Sequence, residues 1–283
     1  MIVPRLAHDA LLADIADARS NPDALYLWWL GQSGFLVQWQ DRHLLIDPYL
    51  SDSLTDKYAD TDKPHVRMSK LVVEPRSLNF IDLITSSHNH TDHLDGPTLS
   101  ALLEVNPTVN LAVPAANRLF AADRLAVEPS RIMEIDAGDS IFVAGFTIHA
   151  VPAAHDCIER DERERCRFLG YVFQVGPWTI YHSGDTVRYE GMVEQLARWQ
   201  IDIAILPING RGPERRVAGN LWGDEAAQLA HDIGAGIVIP CHYDMFTFNT
   251  ASPELFVKTA GALRQSHTVL ELGERFDLTA DAI

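Results

Sequence analysis

"SSHNHTDHLD", residues 86–95, sets three histidines and two aspartates in ten consecutive positions. The whole chain has 12 histidines in 283 residues, so a quarter of them fall here. Imidazole and carboxylate without a thiol are the ligands of zinc, manganese or iron bound through nitrogen and oxygen. One histidine in a loop is more often bonded to backbone, but H-x-H-x-D-H is a denser pattern than that reading explains. The stretch follows "IDLIT" (81–85), a short apolar run with strand composition. It precedes Gly96-Pro97 and leucines at 99, 102 and 103, which predict a helix with proline in its first turn. Residues two apart in an extended segment point to the same side, so His88 and His90 can share one ion. Asp92 and His93, from the turn into the helix, can face a second position.

Each ion then needs ligands from elsewhere. His155 follows "FTIHAVPAA", Asp185 follows "WTIYHSG" and His242 follows "GIVIPC", each just past a predicted strand. Ligands converge most easily from strand ends along one rim, because a sheet fixes their spacing. Together these residues supply five histidines and two aspartates, enough for two divalent ions with positions left open for water. His182, at a strand end beside Asp185, is placed behind the ligands. His149 lies within a strand and reads as an ordinary sheet residue. His8, His43, His65, His231 and His267 read as surface or packing residues, and Cys241 as a small hydrophobe.

Further apolar runs at 26–30, 34–39, 43–47, 109–114, 167–175 and 201–208 are bounded by Gly, Pro, Asn or Asp, as strands are. Helical patterns are predicted over 97–105, 190–199 and 223–233. Strands crowd the opening and alternate with helices later, with no repeat and no Ser/Gly-rich linker. We therefore expect one α/β domain over residues 1–283, with two mixed sheets packed together and helices outside.

A formal charge of −16 disfavours nucleic acid, whose binding draws on many basic contacts, though a few local arginines can still hold a small anion. The N-terminal "MIVPRLAHDALLADIADARS" reads as an amphipathic helix rather than a signal peptide, and no apolar run approaches membrane-spanning length. Three cysteines without C-x-x-C spacing do not suggest a disulfide framework. A cytoplasmic location without a membrane partner is the expectation, and a homo-oligomer is left open.

H-x-H-x-D-H after a strand, then His155, then "SGDT", then a late His, resembles the metallo-β-lactamase fold superfamily over nearly the whole chain. The resemblance implies an αββα sandwich with a dinuclear site between the sheets. Carried over by position, His88, His90 and His155 would hold the first metal. Asp92, His93 and His242 would hold the second, and Asp185 would bridge both. Asp47, in "LLIDPYL", would support ligand histidines from behind. "WWLGQSGF" (28–35), "YHSGDT" (181–186) and "GIVIPCHYDMF" (236–246) are similar to the branch of L-ascorbate-6-phosphate lactonases and their relatives. That group opens a phosphorylated sugar lactone, typically with manganese; "VPAAH" departs from its third motif.

Two neighbouring divalent ions, whether Mn, Zn or Fe, can hold a bridging water and lower its pKa towards neutrality. The expected activity is therefore metal-dependent hydrolysis of a small anionic ester or lactone, with Asp92 orienting the hydroxide and handling a proton. The alternatives are a phosphodiesterase of the N-acyl-phosphatidylethanolamine phospholipase D type and a non-catalytic sensor on the same scaffold. None of the seven ligands is missing, which disfavours the sensor. "INGRGPERRVAGNLWG" (208–223) adds three arginines just past a strand, so Arg211, with Arg215 or Arg216, is a candidate for holding the anion. Arg188 and Tyr189 are further candidates for the pocket mouth. A flexible loop or a subunit contact would account for the same arginines.

Overall fold

The computed structural model describes residues 1–212 and 218–279. Its first half opens with helix α1 (His8–Ala18), which buries Leu11 and Ile15 at helical spacing. Strands β1 (Leu25–Gly31), β2 (Gly34–Trp39) and β3 (Arg42–Ile46) follow, then a short helix α2 (Ser53–Tyr58). After these come β4 (Leu83–Thr85), α3 (Gly96–Val105), β5 (Asn110–Pro114), α4 (Arg118–Leu125) and β6 (Ile132–Ile135). The second half contains β7 (Ser140–Val143), β8 (Phe146–Pro152), β9 (Leu169–Val175) and β10 (Trp178–His182). It continues with α5 (Met192–Leu196), β11 (Ile203–Pro207), α6 (Gly223–Asp232), β12 (Ile237–Cys241), α7 (Glu254–Leu263) and β13 (Arg275–Leu278).

These strands make two sheets, ordered β13-β1-β2-β3-β4-β5-β6 and β12-β11-β10-β9-β8-β7. Both are mixed. The β1–β3 meander is antiparallel, whereas β3 to β6 run parallel. In the other sheet β7 to β10 are antiparallel and β10 to β12 parallel. One hydrophobic cluster joins the facing surfaces of the two sheets, with Trp28, Trp29, Phe35, Phe146, Tyr171, Phe173 and Tyr181 among its buried side chains. β1 is buried at all seven positions, because a strand covered on both faces needs no polar alternation. α4 packs on β5 and β6, and α6 on β11 and β12, giving the αββα layering expected from the sequence.

Several elements differ from their sequence reading. The run at 81–87 yields only the three residues of β4, because Ser87 leaves the ladder and gives its N–H to the Asp47 carboxylate. The helix expected over 190–199 is limited to α5. β6, β7, β13, α2, α4 and α7 were not foreseen; β7 is a half-exposed edge and α4 carries charges on most of its turns.

Strand direction decides where the site lies. β3 and β4 end at the same edge, and β1, two antiparallel steps from β3, ends there too. In the other sheet β8, β10, β11 and β12 share one direction. The loops leaving these ends carry Gln32, Asp47, residues 86–95, His155, Asp185 and His242. Ligand sites in α/β sheets sit at such carboxyl ends. Gly184, between β10 and Asp185, has φ +59, and a Cβ there would lie 2.7 Å from Ser87 Cβ and 2.8 Å from the Leu169 carbonyl oxygen. Gly184→Ala should therefore destabilise the protein by about 1–3 kcal/mol, read as a lowered midpoint in urea unfolding.

Candidate metal centre

The loop 86–95 is pinned at both ends. Ser86 N–H donates to the Ala112 carbonyl at 3.0 Å, continuing the sheet, and Ser87 O accepts from Leu169 N–H at 3.0 Å, reaching across to the other sheet. At the far end Asp95 caps α3 by accepting from Thr98 N–H at 3.1 Å. Between them Leu94 N–H donates to His90 O at 2.8 Å and tightens the turn. Arg124, stacked 4.4 Å over the Phe120 ring, clamps the same loop by donating to the carbonyls of Asn89 (3.0 Å) and Leu94 (2.8 Å).

This scaffold and the loops from the other strand ends bring the seven candidate ligands together. Three groups have ligand atoms all within 4.8 Å of one another: His88, His90 and His155; His88, His93 and Asp185; and Asp92, His93 and His242. Asp185 touches both sides. Its Oδ1 lies 3.3 Å from His93 Nε2, and its Oδ2 lies 3.5 Å from His242 Nε2 and 3.6 Å from His155 Nε2. His88, His93, His155, Asp185 and His242 are each at most 5% exposed, whereas His90 and Asp92 face the opening.

The donor chemistry fits a divalent cation. His93 Nδ1 lies 2.6 Å from Asp47 Oδ2, His155 Nδ1 lies 2.8 Å from the Gly219 carbonyl, and His88 Nδ1 lies 3.0 Å from Ser87 Oγ. An imidazole whose outer nitrogen gives its proton to an acceptor presents the inner nitrogen as a bare lone pair, as a metal ligand must. Among the described residues, the inner Nε2 atom of His88 is buried without a hydrogen-bond partner, and His93 Nε2 and Asp185 Oδ1 have only each other within hydrogen-bond distance, 3.3 Å apart. Orphaned buried polar atoms are rare, so atoms that converge in this way call for a cation. Burial by itself would lower the His93 and His242 imidazoles and raise the Asp92 and Asp185 carboxyls, but facing one another they do the opposite. The carboxylates push both imidazoles up, His242 to about 9, and the imidazoliums hold both carboxyls well below the usual carboxylate range, a balance of charge that a divalent cation would take over from the protons.

Asp47 is 0% exposed and accepts from Ser87 N–H at 2.8 Å, from Ser87 Oγ and from His93 Nδ1. His182 stands further back. Its Nε2 donates to the Ser33 carbonyl at 3.0 Å and its Nδ1 accepts from Gly184 N–H at 3.2 Å, so it props the backbone on either side of the site. His149 bonds Ser140 and Gln174 on the sheet surface, as an ordinary strand residue does.

Above the cluster opens a cavity of about 470 Å³, within the range of small-molecule sites. Its lining includes Gln32, His90, Asp92, His155, Asp185 and His242, the cations Lys57, Lys63 and Arg124, and the rings of Tyr58, His65, Phe120 and Phe246. Of the substrate-binding candidates from the sequence, Arg211, Arg188 and Tyr189 are not there. Arg211 forks onto Glu225, with Nη2 2.6 Å from Oε1, and donates to the Asn220 carbonyl at 3.2 Å. Arg188 pairs with Asp232 at 2.5 Å, and the Tyr189 hydroxyl donates to Pro152 O at 2.9 Å. These two line a separate surface recess beside Gly191. Arg215 and Arg216 fall outside the described residues. Two described residues of the glycine-rich loop serve the site: Gly219 O orients His155 and Ala218 lines the cavity. His65, read from sequence as a surface or packing residue, packs against the rings of Tyr58 and Phe246 and forms part of the cavity wall. Gln32 was overlooked, although "LGQSG" between two strands places it at the ligand-bearing edge.

Comparison with known proteins agrees with this geometry. Residues 42–243 match the family described as Beta-lactamase superfamily domain. A metal-dependent hydrolase of Alkaliphilus metalliredigens is 32% identical over 243 residues, covering 82% of this chain and 92% of the relative. The probable L-ascorbate-6-phosphate lactonase of Escherichia coli O127:H6 is 23% identical over 274 residues, covering 85% of this chain and 75% of the relative. Among solved structures, the possible metal-dependent hydrolase of Veillonella parvula superposes with a TM-score of 0.73 at 16% identity, covering 89% of this chain and 99% of that one. Because Asp47 sets the tautomer of His93, Asp47→Ala should weaken zinc binding by about 10–100-fold, measured by competition with a chromophoric chelator.

Proposed function

The chain belongs to the beta-lactamase superfamily of metal-dependent hydrolases, and from that membership we propose a dinuclear hydrolase of small anionic esters or lactones. The observation that carries the two-ion reading is Asp185, one carboxylate within 3.6 Å of imidazoles from both sides of the cluster. His88, His90 and His155 would hold one ion, Asp92, His93 and His242 the other, with Asp185 shared. When bound, such ions supply Lewis-acid polarisation of the scissile group and lower the pKa of water; Mn, Zn and Fe all suit nitrogen and oxygen ligands.

The protein's own residues do the rest. Asp92, ionised and facing the cavity, orients the attacking water and carries a proton on a carboxylate oxygen to the leaving group. The rings of Tyr58, Phe120 and Phe246 line the cavity and limit the water around the reacting bond. Lys57, 3.4 Å from Thr91 Oγ1 beside the ligand loop, presents its ammonium to the same space, and Lys63 and Arg124 add positive charge. On a protein of net charge −16, a cavity wall with three cations supports an anionic substrate. The phosphorylated lactone named for the Escherichia coli relative is one member of that class.

Metal analysis combined with a panel of lactones, carboxylic esters and a generic phosphodiester tests the proposal directly. The expected result is two ions per chain and turnover of an anionic ester or lactone; a chain that takes up no Mn, Zn or Fe would refute it. Asp185→Asn should keep the fold and lose nearly all turnover, because a neutral amide shared by two cations compensates their charge poorly. Lys57→Ala should lower kcat/KM roughly ten- to a hundredfold for an anionic substrate, and much less for its neutral analogue. Equal losses on both would place Lys57 in a structural role.

A further inference from the structure

Gln32 has a place in the site that none of the ligand motifs explains. Its side chain belongs to a residue only 2% exposed, yet it lines the cavity. Its main chain is held at φ 51, a left-handed conformation that costs a glutamine energy and persists only where the surroundings impose it. The surroundings do so twice: the Gln32 carbonyl accepts from Trp29 Nε1 at 3.0 Å and from His242 N–H at 2.9 Å. The tip of the β1–β2 turn is thereby locked to the end of β12, and the carboxamide is delivered between two candidate ligands. Its Nε2 lies 2.8 Å from Asp92 Oδ2 and 3.1 Å from His242 Nε2.

Those two atoms belong to the group formed by Asp92, His93 and His242. An amide N–H and a cation compete for the same lone pairs. Once a cation takes the lone pair of His242 Nε2, the NH2 group has nothing to donate to there and faces a positive charge. A half-turn about the terminal torsion exchanges Nε2 for Oε1 without moving the backbone. The amide then offers an oxygen acceptor where it had offered donors.

We propose that Gln32 is a further ligand of the ion held by Asp92, His93 and His242, its amide turning from donor to acceptor as that ion binds. The inference rests on the metal-dependent reading above and adds an oxygen donor to one ion but not to the other. The two ions of the centre are therefore held with unequal strength, and the one nearer Gln32 carries the extra neutral ligand.

The test uses full-length protein stripped of metal and titrated with zinc against a chromophoric chelator, for wild type, Gln32→Leu and Gln32→Glu. Cobalt loading follows, to read the ligand field in the visible spectrum. Gln32→Leu, similar in size but without a donor oxygen, should weaken one zinc equivalent by about tenfold or more, leave the other unchanged and alter the cobalt spectrum. Gln32→Glu, with an oxygen at the same reach and a negative charge, should bind that equivalent at least as tightly as wild type. Gln32→Leu with wild-type affinity for both equivalents, or with a weaker equivalent but an unchanged cobalt spectrum, would overturn the assignment. If Gln32→Leu does not fold, Gln32→Glu decides alone, and weaker binding by it would overturn the assignment. Wild type that takes up no zinc or cobalt would sink the hydrolase reading itself, a result distinct from those that sink only Gln32.

Discussion

The carboxylate of Asp47 is buried where β3 ends, out of reach of solvent, and three donors converge on it from a single loop: Ser87 N–H, Ser87 Oγ and His93 Nδ1. Taking an ionised carboxylate out of water costs several kcal/mol unless its lone pairs are used, and here they are. The backbone adds a fourth tie, because Asp47 N–H donates to Thr85 O at 2.9 Å in line with the β3–β4 ladder. Loop 86–95 therefore cannot shift without stranding a buried charge. The positions of His88 and His93 inherit the rigidity of the sheet, although neither residue lies in a strand.

The same device recurs around the cluster. For three of the histidines the inner nitrogen is free to face a cation because the outer one is already engaged, by Asp47 for His93, by Ser87 for His88 and by Gly219 for His155. The partners come from different strand ends in both sheets, so the site exists only where the two rims meet. Gln32, Asp47 and His242, all with positive φ, mark the turns at which the chain leaves that rim. At these three turns the left-handed backbone is held by the contacts of the site rather than by local preference.

Charge is distributed unevenly over the molecule, and the distribution separates binding from architecture. Arg211 and Arg188 are committed to Glu225 and Asp232, where they hold loops to α6. The cations that line the cavity come instead from α2 and the chain after it, Lys57 and Lys63, and from α4, Arg124. Tyr49, Leu54, Met245 and Phe246 form a small apolar cluster beneath α2, separate from the main core, and Tyr58 packs against it. That cluster seats the wall carrying Lys57 and joins it to the loop after His242.

Much of this was legible in the sequence, for a physical reason. Apolar runs bounded by Gly, Pro, Asn and Asp located ten strands, because a buried strand is written in contiguous residues. The cluster of candidate ligands was legible because metal chemistry restricts residue type, and because strand ends restrict where such residues can stand. The short charged helices α2 and α4 and the edge strand β7 carry no such signature, since half-exposed elements take their stability from neighbours rather than from their own pattern. Arg211, just past a strand, reads as an anion ligand, yet a guanidinium is claimed by whichever carboxylate folds nearest to it, and Glu225 lies 14 residues away in the chain. The sequence alone determined what chemistry the rim can hold. Only the tertiary structure decided which cations face the cavity and that Gln32 stands between Asp92 and His242, because those relations join residues 60 and 210 positions apart.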